Sequence, residues 1–257
     1  MSIVSGSPPA APASMGGLSS AVEDLSVLPE LKSLRFDGDS YATRVESRTG
    51  SQNKMTASFW MKISKIDRTN FLFGHSNTAG SDTHSFFMQL TDSNQLQISC
   101  AGTALKSHAI LRDPSAWYHV VVSLDSTNIT STERIQIFLN GTELALDESF
   151  TGGGYPSDTS NLSIAGYRFI MSDPWGQSSR HFNGHMANIQ FIDGQALDAD
   201  SFGEWISDIW KPRPYTGDYG VNGFHLDFAG ENMLYDSNGK LTQVLDASSN
   251  DNHWTAH

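Results

Sequence analysis

The sequence predicts an all-β protein: a two-sheet antiparallel jelly-roll sandwich with an extended N-terminal arm and one or two short helices. Three observations lead there. From Leu34 onward, apolar residues recur at every second position, the period of a half-buried strand. Gly, Asn, Asp and Ser part these runs at near-even spacing, as antiparallel sandwiches require. The opening MSIVSGSPPAAPASMGG is almost entirely Pro, Ala, Ser and Gly, which can build no core.

After that opening comes LSSAVEDLSVLPEL, with Leu18, Val22, Leu25 and Leu28 at three- and four-residue intervals. Ser19 or Ser20 can cap a helix there. Glu23 and Asp24 suit its first turn, and Pro29 stops it. So short a helix is marginal alone, so its apolar stripe needs a surface, either its own sandwich or a partner. Residues 1–33 are therefore read as a docking arm, and 34–257 as the sandwich with a C-terminal extension.

Within the sandwich, LRFDGDSYATRV opens a strand with a Gly turn. In MTASFWMKI, Met55, Ala57, Phe59, Met61 and Ile63 face one way, and Thr56, Ser58, Trp60 and Lys62 the other. NFLFGH follows, then SFFMQL, QLQISC, WYHVVVSL and RIQIFLNG. In these last four the alternating apolar sets are Phe86/Met88/Leu90, Leu96/Ile98/Cys100, Tyr118/Val120/Val122/Leu124 and Ile135/Ile137/Leu139. Asn140-Gly141 is a type I′ hairpin signal, which explains Asn140 without a sugar despite its sequon. LSIAGY, HFNGHMANIQFI and, in the tail, GFHLDF complete the strands. A second helix is expected over 198–210, DADSFGEWISDIW, capped by Asp198 or Asp200. Its stripe would be Phe202, Trp205, Ile206 and Ile209, ended by Pro212 and Pro214.

A chain of 257 residues can bury a sizeable core without staples, and its one cysteine, Cys100, excludes an internal disulfide. The net charge is −12, with 16 Lys and Arg that do not cluster. Nucleic acid and anionic membrane are not expected partners, since both need a basic footprint. The N-terminus lacks the charged and apolar regions of a signal peptide, and no stretch reaches the roughly 18 apolar residues of a membrane span. The remaining sequons, at Asn128 and Asn161, are read as chance.

Five segments in order over 34–202 resemble the laminin-G/concanavalin A-like lectin-glucanase family: SFWMKI, AWYHVVVSLD, IFLNGTEL, LSIAG and FNGHMANIQFIDGQALDADSF. Further on, IDGQALDADSFGEW, WKPRPYTGDYGVNGFHLDF and DASSNDNHWT, over about 192–254, resemble lectin-like structural proteins of tailed bacteriophages. The resemblance implies a virion protein. Longer relatives continue past the N-x-W-T segment whereas this chain stops at His257, which favours a capsid decoration or head-fibre protein over a long tail fibre.

The glucanase branch hydrolyses with paired carboxylates on one strand, and a retaining pair must lie about 5–5.5 Å apart. No E-x-D-x-E strand occurs among the glutamates at 23, 30, 46, 133, 143, 148, 204 and 231, of which only Glu204 and Glu231 are placed outside loops. There is no G-x-S-x-G elbow, Walker loop or C-x-x-C, and Gly152–Gly154 precedes no helix. No enzyme is expected. His181 and His185 share a strand face but stand about 13 Å apart, too far to bind one ion. His119 falls at a structural position of the family's W-x-H strand. No cofactor is expected beyond the structural calcium that the resemblance allows. Asp125, Asp158 and Asp173, with Asp236 and Asn238, would supply its oxygens. A lectin site would use loop aromatics, for which Tyr155, Tyr167, Trp175 and Tyr215 are the candidates.

The expectation is thus a non-enzymatic protein of the virion's outer surface, made in the host cytoplasm. Its arm, through Leu18, Val22, Leu25 and Leu28, would dock on the major capsid protein or another virion protein. It would be a homo-oligomer, most simply a trimer, and could present a surface to host glycans. The alternative is a tail-fibre or receptor-binding lectin.

Overall fold

The computed structural model describes residues 31–76, 86–100, 102–151, 155–156, 165–172 and 180–257. The described strands are β1 (Ser33–Asp37), β2 (Ala42–Val45), β3 (Lys54–Ile63), β4 (Asn70–Ser76), β5 (Phe86–Leu90), β6 (Gln95–Cys100), β7 (Thr103–Ile110), β8 (Tyr118–Asp125), β9 (Ile135–Leu139) and β10 (Thr142–Glu143). There follow β11 (Leu146–Thr151), β12 (Arg168–Met171), β13 (Asn183–Asp193), β14 (Gly203–Ile206), β15 (Ile209–Pro212), β16 (Phe224–Leu226), β17 (Met233–Tyr235), β18 (Leu241–Val244) and β19 (Trp254–Ala256). No described helix is long and apolar enough to cross a membrane.

Two large antiparallel sheets form the sandwich. One runs β1-β13-β3-β8-β9-β10, with β16 also on β13. The other runs β11-β7-β6-β5-β4-β12-β2-β19-β18-β17. The expected alternating sets turn inward together: Met55, Ala57, Phe59, Met61 and Ile63 meet Phe86, Met88, Leu90, Leu96 and Ile98 in one core. Phe169 is central to it. Its ring lies 4.8 Å from Phe191, 5.3 Å from Phe73 and 5.7 Å from Phe224. Arg44 shares this interior. Its guanidinium lies 5.7 Å above the Phe169 ring and donates to the carbonyl and Oδ1 of Asn222 and to Oδ1 of Asn252. It thereby ties β2 to two loops of the C-terminal extension. Asn140 and Gly141 both take positive φ and close the two-residue hairpin between β9 and β10, as their sequence predicts.

β13 is the hinge of the seven-stranded sheet. Its first half pairs with β1 and its second with β16, while β3 lies along its other edge. The break falls between Ala187 and Gln190, where Asn188 takes a φ of 48° and forms a bulge.

The helix expected over 198–210 does not form. Only a 3₁₀ turn, Ala199–Ser201, appears where it would begin, and Asp198 at its cap position makes no side-chain cap bond. β14 and β15 then make a hairpin, because Ser207 and Asp208 both adopt positive φ and return the chain in two residues. The supposed stripe is not one face. Phe202 is buried, Trp205 and Ile209 are exposed, and Trp210 is buried. Tail segments with no expected strand, β17 to β19, extend the ten-stranded sheet through β2. The arm with Leu18, Val22, Leu25 and Leu28 lies outside the described residues, as do 162–164 of LSIAG. The described chain starts at Leu31, which packs on the outer side of the seven-stranded sheet, and Ser33 already belongs to β1.

Candidate functional site

Thr56, Ser58 and Trp60, on the face of β3 turned away from the main core, are all buried as well. The segment after β13, with the β14–β15 hairpin, lies over them and forms a second apolar cluster of Trp60, Val121, Ala187, Ile192, Phe202 and Trp210. Polar side chains of the sheet fasten the cover. Thr56 Oγ1 donates to the Gln195 carbonyl and accepts from the Leu197 N–H, both at 2.8 Å. Trp210 Nε1–H donates to His119 Nδ1 at 2.9 Å, and His119 Nε2 lies 2.9 Å from Ser58 Oγ. Because an indole nitrogen can only donate, Nδ1 must accept. His119 therefore carries its proton on Nε2 and gives it to Ser58. Burial holds the imidazole neutral, its pKa pushed down to about 3. Its ring is stacked 4.8 Å from Trp60 and 6.0 Å from Trp210. His119 is thus the structural residue the family pattern implied.

Two glycines clamp Trp210. A Cβ at Gly203 would stand 2.3 Å from its ring, and one at Gly141 would stand 2.5 Å away. Gly141 thus serves both the hairpin turn and the seat of Trp210.

The cover stops short of the end of the sheet and leaves a cleft of about 330 Å³ lined by Leu31, Trp60, Trp117, Ala187, Trp210 and Pro212. Trp117 is its open wall, 39 % exposed. The indole N–H of Trp60 is buried with no hydrogen-bond partner among the described residues, an unmet donor in the cleft's lining residues. On the other side of Leu31 is a cleft of about 400 Å³ with Lys32, Gln190, Arg213, Tyr215, His225 and Glu231 among its walls. His225 Nε2 lies 2.7 Å from Oδ1 of the bulge residue Asn188.

The predicted aromatic residues are not brought together. Tyr215 lines the second cleft, stacked 5.2 Å from Phe202, and its hydroxyl donates to the Asp218 carbonyl. Tyr167, just before β12, stacks 5.1 Å from His75 of the neighbouring β4 in the ten-stranded sheet, and Tyr155 packs half-buried against the main core. Trp175 lies outside the described residues. Of the calcium candidates, Asp125 is paired with Lys54 at 2.7 Å and accepts from Thr127. Asp158 and Asp173 lie outside the described residues. Asp236 accepts from the backbone of Asn238 and Lys240. No group of three His, Cys, Asp or Glu is suitably placed for a metal among the described residues. His181 is buried edge-on to Tyr41, and His185 faces Trp117.

Glu46, read as a loop residue, is instead fully buried after β2, with Oε2 2.7 Å from His75 Nε2. Glu204 stands in β14 and Glu231 in a separate 3₁₀ turn. The residues missed in the sequence are the tryptophans. The available signal was the outward phase itself, where Trp60, Val121, Phe138 and Ile192 stand at positions that a solvent-facing sheet fills with polar side chains.

Residues 36–201 match the laminin-G type model of the concanavalin A-like lectin/glucanases superfamily. No curated protein matches the chain in sequence. Among solved structures, a protein of Bacteroides ovatus provisionally assigned to carbohydrate binding superposes over 88 % of this chain and 58 % of its own, with 15 % identity and a TM-score of 0.60. The heptameric SAP-like pentraxin of Limulus polyphemus aligns over 64 % of this chain and 76 % of its own, at 12 % identity and TM-score 0.48. Domains LG4–5 of the mouse laminin α1 chain align over 85 % and 52 %, at 11 % identity and TM-score 0.47. The chain therefore spans little more than half of the Bacteroides and laminin structures. The family match ends before the β14–β15 hairpin that forms one wall of the tryptophan cleft.

Proposed function

The chain belongs to the concanavalin A-like lectin/glucanase superfamily, and from that premise we propose that it is a non-catalytic, saccharide-binding structural protein of a virion surface. The observation that carries the binding reading is the tryptophan cleft on the outer sheet face. A sugar offers apolar C–H faces to an exposed ring such as Trp117. About 330 Å³ lies within the usual size of ligand pockets. The carbohydrate-binding assignment of the Bacteroides protein is in keeping with this reading, although its likeness is one of fold. The non-catalytic reading rests on the glutamates: Glu46 is held by His75, and Glu204 and Glu231 sit on separate elements. The direct test is a glycan array read with the wild type and with Trp117→Ala. Loss of every glycan signal in a variant of unchanged melting temperature is expected. Retention of the wild-type pattern would remove the cleft from the function.

The virion reading is supported by the likeness of 192–254 to lectin-like bacteriophage structural proteins. In it, the arm docks on the shell protein, ordering as it binds, and copies joined as a trimer multiply a weak single attachment. Binding only the assembled shell, they would stabilise it by mass action. Quantitative mass spectrometry of purified particles tests this. A ratio to the major shell protein near one, or one in three, is expected of a capsid decoration. A few copies per hundred would favour the receptor-binding tail lectin, and absence from particles would end the virion reading. Removal of residues 2–30, which spares Leu31 and β1, should abolish particle binding and leave the sandwich folded.

A further inference from the structure

Beside the tryptophan cleft, three side chains line up across adjacent strands. Arg35 of β1 stands opposite His185 of β13, which stands opposite Lys62 of β3. Their neighbours Phe36, Met186, Met61 and Ile63 turn into the core, so these three point outward. Strands lie about 4.8 Å apart, so the two cations start from backbones about 10 Å apart and can converge over His185. The Trp117 ring meets His185 edge-on, with centroids 6.4 Å apart. Burial first, then Arg35 and Lys62, lower the His185 pKa, as expected where two cations crowd a third group.

Neither cation makes an ion pair among the described residues. Arg35 donates to Ser64 Oγ at 3.0 Å and, more weakly, to Asn183 Oδ1 at 3.4 Å. Asp113, whose carboxylate accepts from the N–H and hydroxyl of Ser115, lies close enough to Lys62 to offset part of its charge without forming an ion pair with it. In a chain of net charge −12, two cations that form no ion pair among the described residues, set beside an exposed tryptophan, form a local field that favours anions.

We propose that the cleft takes an acidic saccharide, its sugar ring on Trp117 and its carboxylate between Arg35 and Lys62. This rests on the saccharide reading of the same cleft and adds the charge class of the ligand. An Arg guanidinium and a Lys ammonium flanking one carboxylate make charge-assisted hydrogen bonds that a neutral sugar cannot replace.

The test uses the full chain and a panel of uronate and sialate oligosaccharides, each as the free carboxylate and as its methyl ester, by titration calorimetry at low and high salt. The best acid should bind roughly ten-fold tighter than its ester at low salt, and the advantage should shrink at high salt. The double variant Arg35→Gln/Lys62→Gln should bind acid and ester alike, at the wild-type affinity for the ester. Equal binding of acid and ester by the wild type would overturn the charge assignment and leave the saccharide reading standing. No binding of either form by any pair would overturn the acidic-saccharide assignment, and an empty glycan array beside it would overturn the saccharide reading too. Equal capture of a poly-glutamate peptide would show that charge alone is recognised, and would also overturn it.

Discussion

The space between the two sheets and the space outside the seven-stranded sheet are both sealed from water, but by different means. The inner core is an unbroken field of aromatic and aliphatic side chains contributed by both sheets, with Arg44 the charged residue placed against its rings. The outer cluster is smaller, and polar side chains hold its cover down: Thr56 on Gln195 and Leu197, and Ser58 on His119 on Trp210. A field of rings is tolerant in detail and costly to empty. A cover latched by a few directional bonds is cheaper to open, and it can end wherever its strands end, which leaves an edge where a ligand can enter. The tryptophan cleft lies at such an edge.

The contrast is sharpest for Phe169→Ala. The ring touches Phe73, Phe191 and Phe224 and lies under Arg44, so its removal should cost about 3–5 kcal/mol and lower the denaturation midpoint of the whole domain. A loss under about 1 kcal/mol would mean that the two sheets do not share one packed core there. Gly203→Val should do less. Its side chain would collide with Trp210, at a cost of about 1–3 kcal/mol. Hydrogen exchange should rise over 203–212 and glycan binding should fall, while the inner strands stay protected. Equal exchange gains in β4 and β12 would show that cover and core unfold as one unit.

The inner core could be read from the sequence because one rule, alternation at period two, governs all of it. Met55 to Ile63 and Phe86 to Leu90 face where that rule puts them. The outer cover could not, since its making needed two facts that no local pattern carries. Ser207-Asp208 is a poor hairpin signal beside Asn-Gly, so Phe202, Trp205, Ile206 and Ile209 fitted a helical period instead. The burial of Trp60 depends on a segment 150 residues downstream, as its partner Trp210 shows. The candidate site suffered most from this. Tyr215 falls beside a cleft, but Trp60, Trp117 and Trp210 acquire meaning only once the hairpin is laid on the sheet. Arg35, His185 and Lys62 lie far apart in sequence, and strand register alone makes them neighbours.

The smallest effect expected is also the most specific to the latch. His119 has a folded pKa of about 3 against about 6.5 unfolded, so between those values the unfolded chain binds a proton that the folded one refuses. Stability therefore falls as pH falls through this window, at most about 1.4 kcal/mol per pH unit, with about 1 kcal/mol lost between pH 7 and 5.5. Other groups titrate in the same range. His225, likewise depressed by burial, adds in the same direction. The informative quantity is thus a difference in slope. His119→Gln keeps an acceptor for Trp210 but has no proton to gain, so urea denaturation between pH 7 and 5.5 should show a flatter dependence than the wild type by that amount. Identical slopes would mean that His119 is protonated within the fold, and then it could not accept from Trp210. Of the polar fastenings only Thr56 on Gln195 and Leu197 would then remain, and the difference drawn between the two cores would narrow to those two bonds.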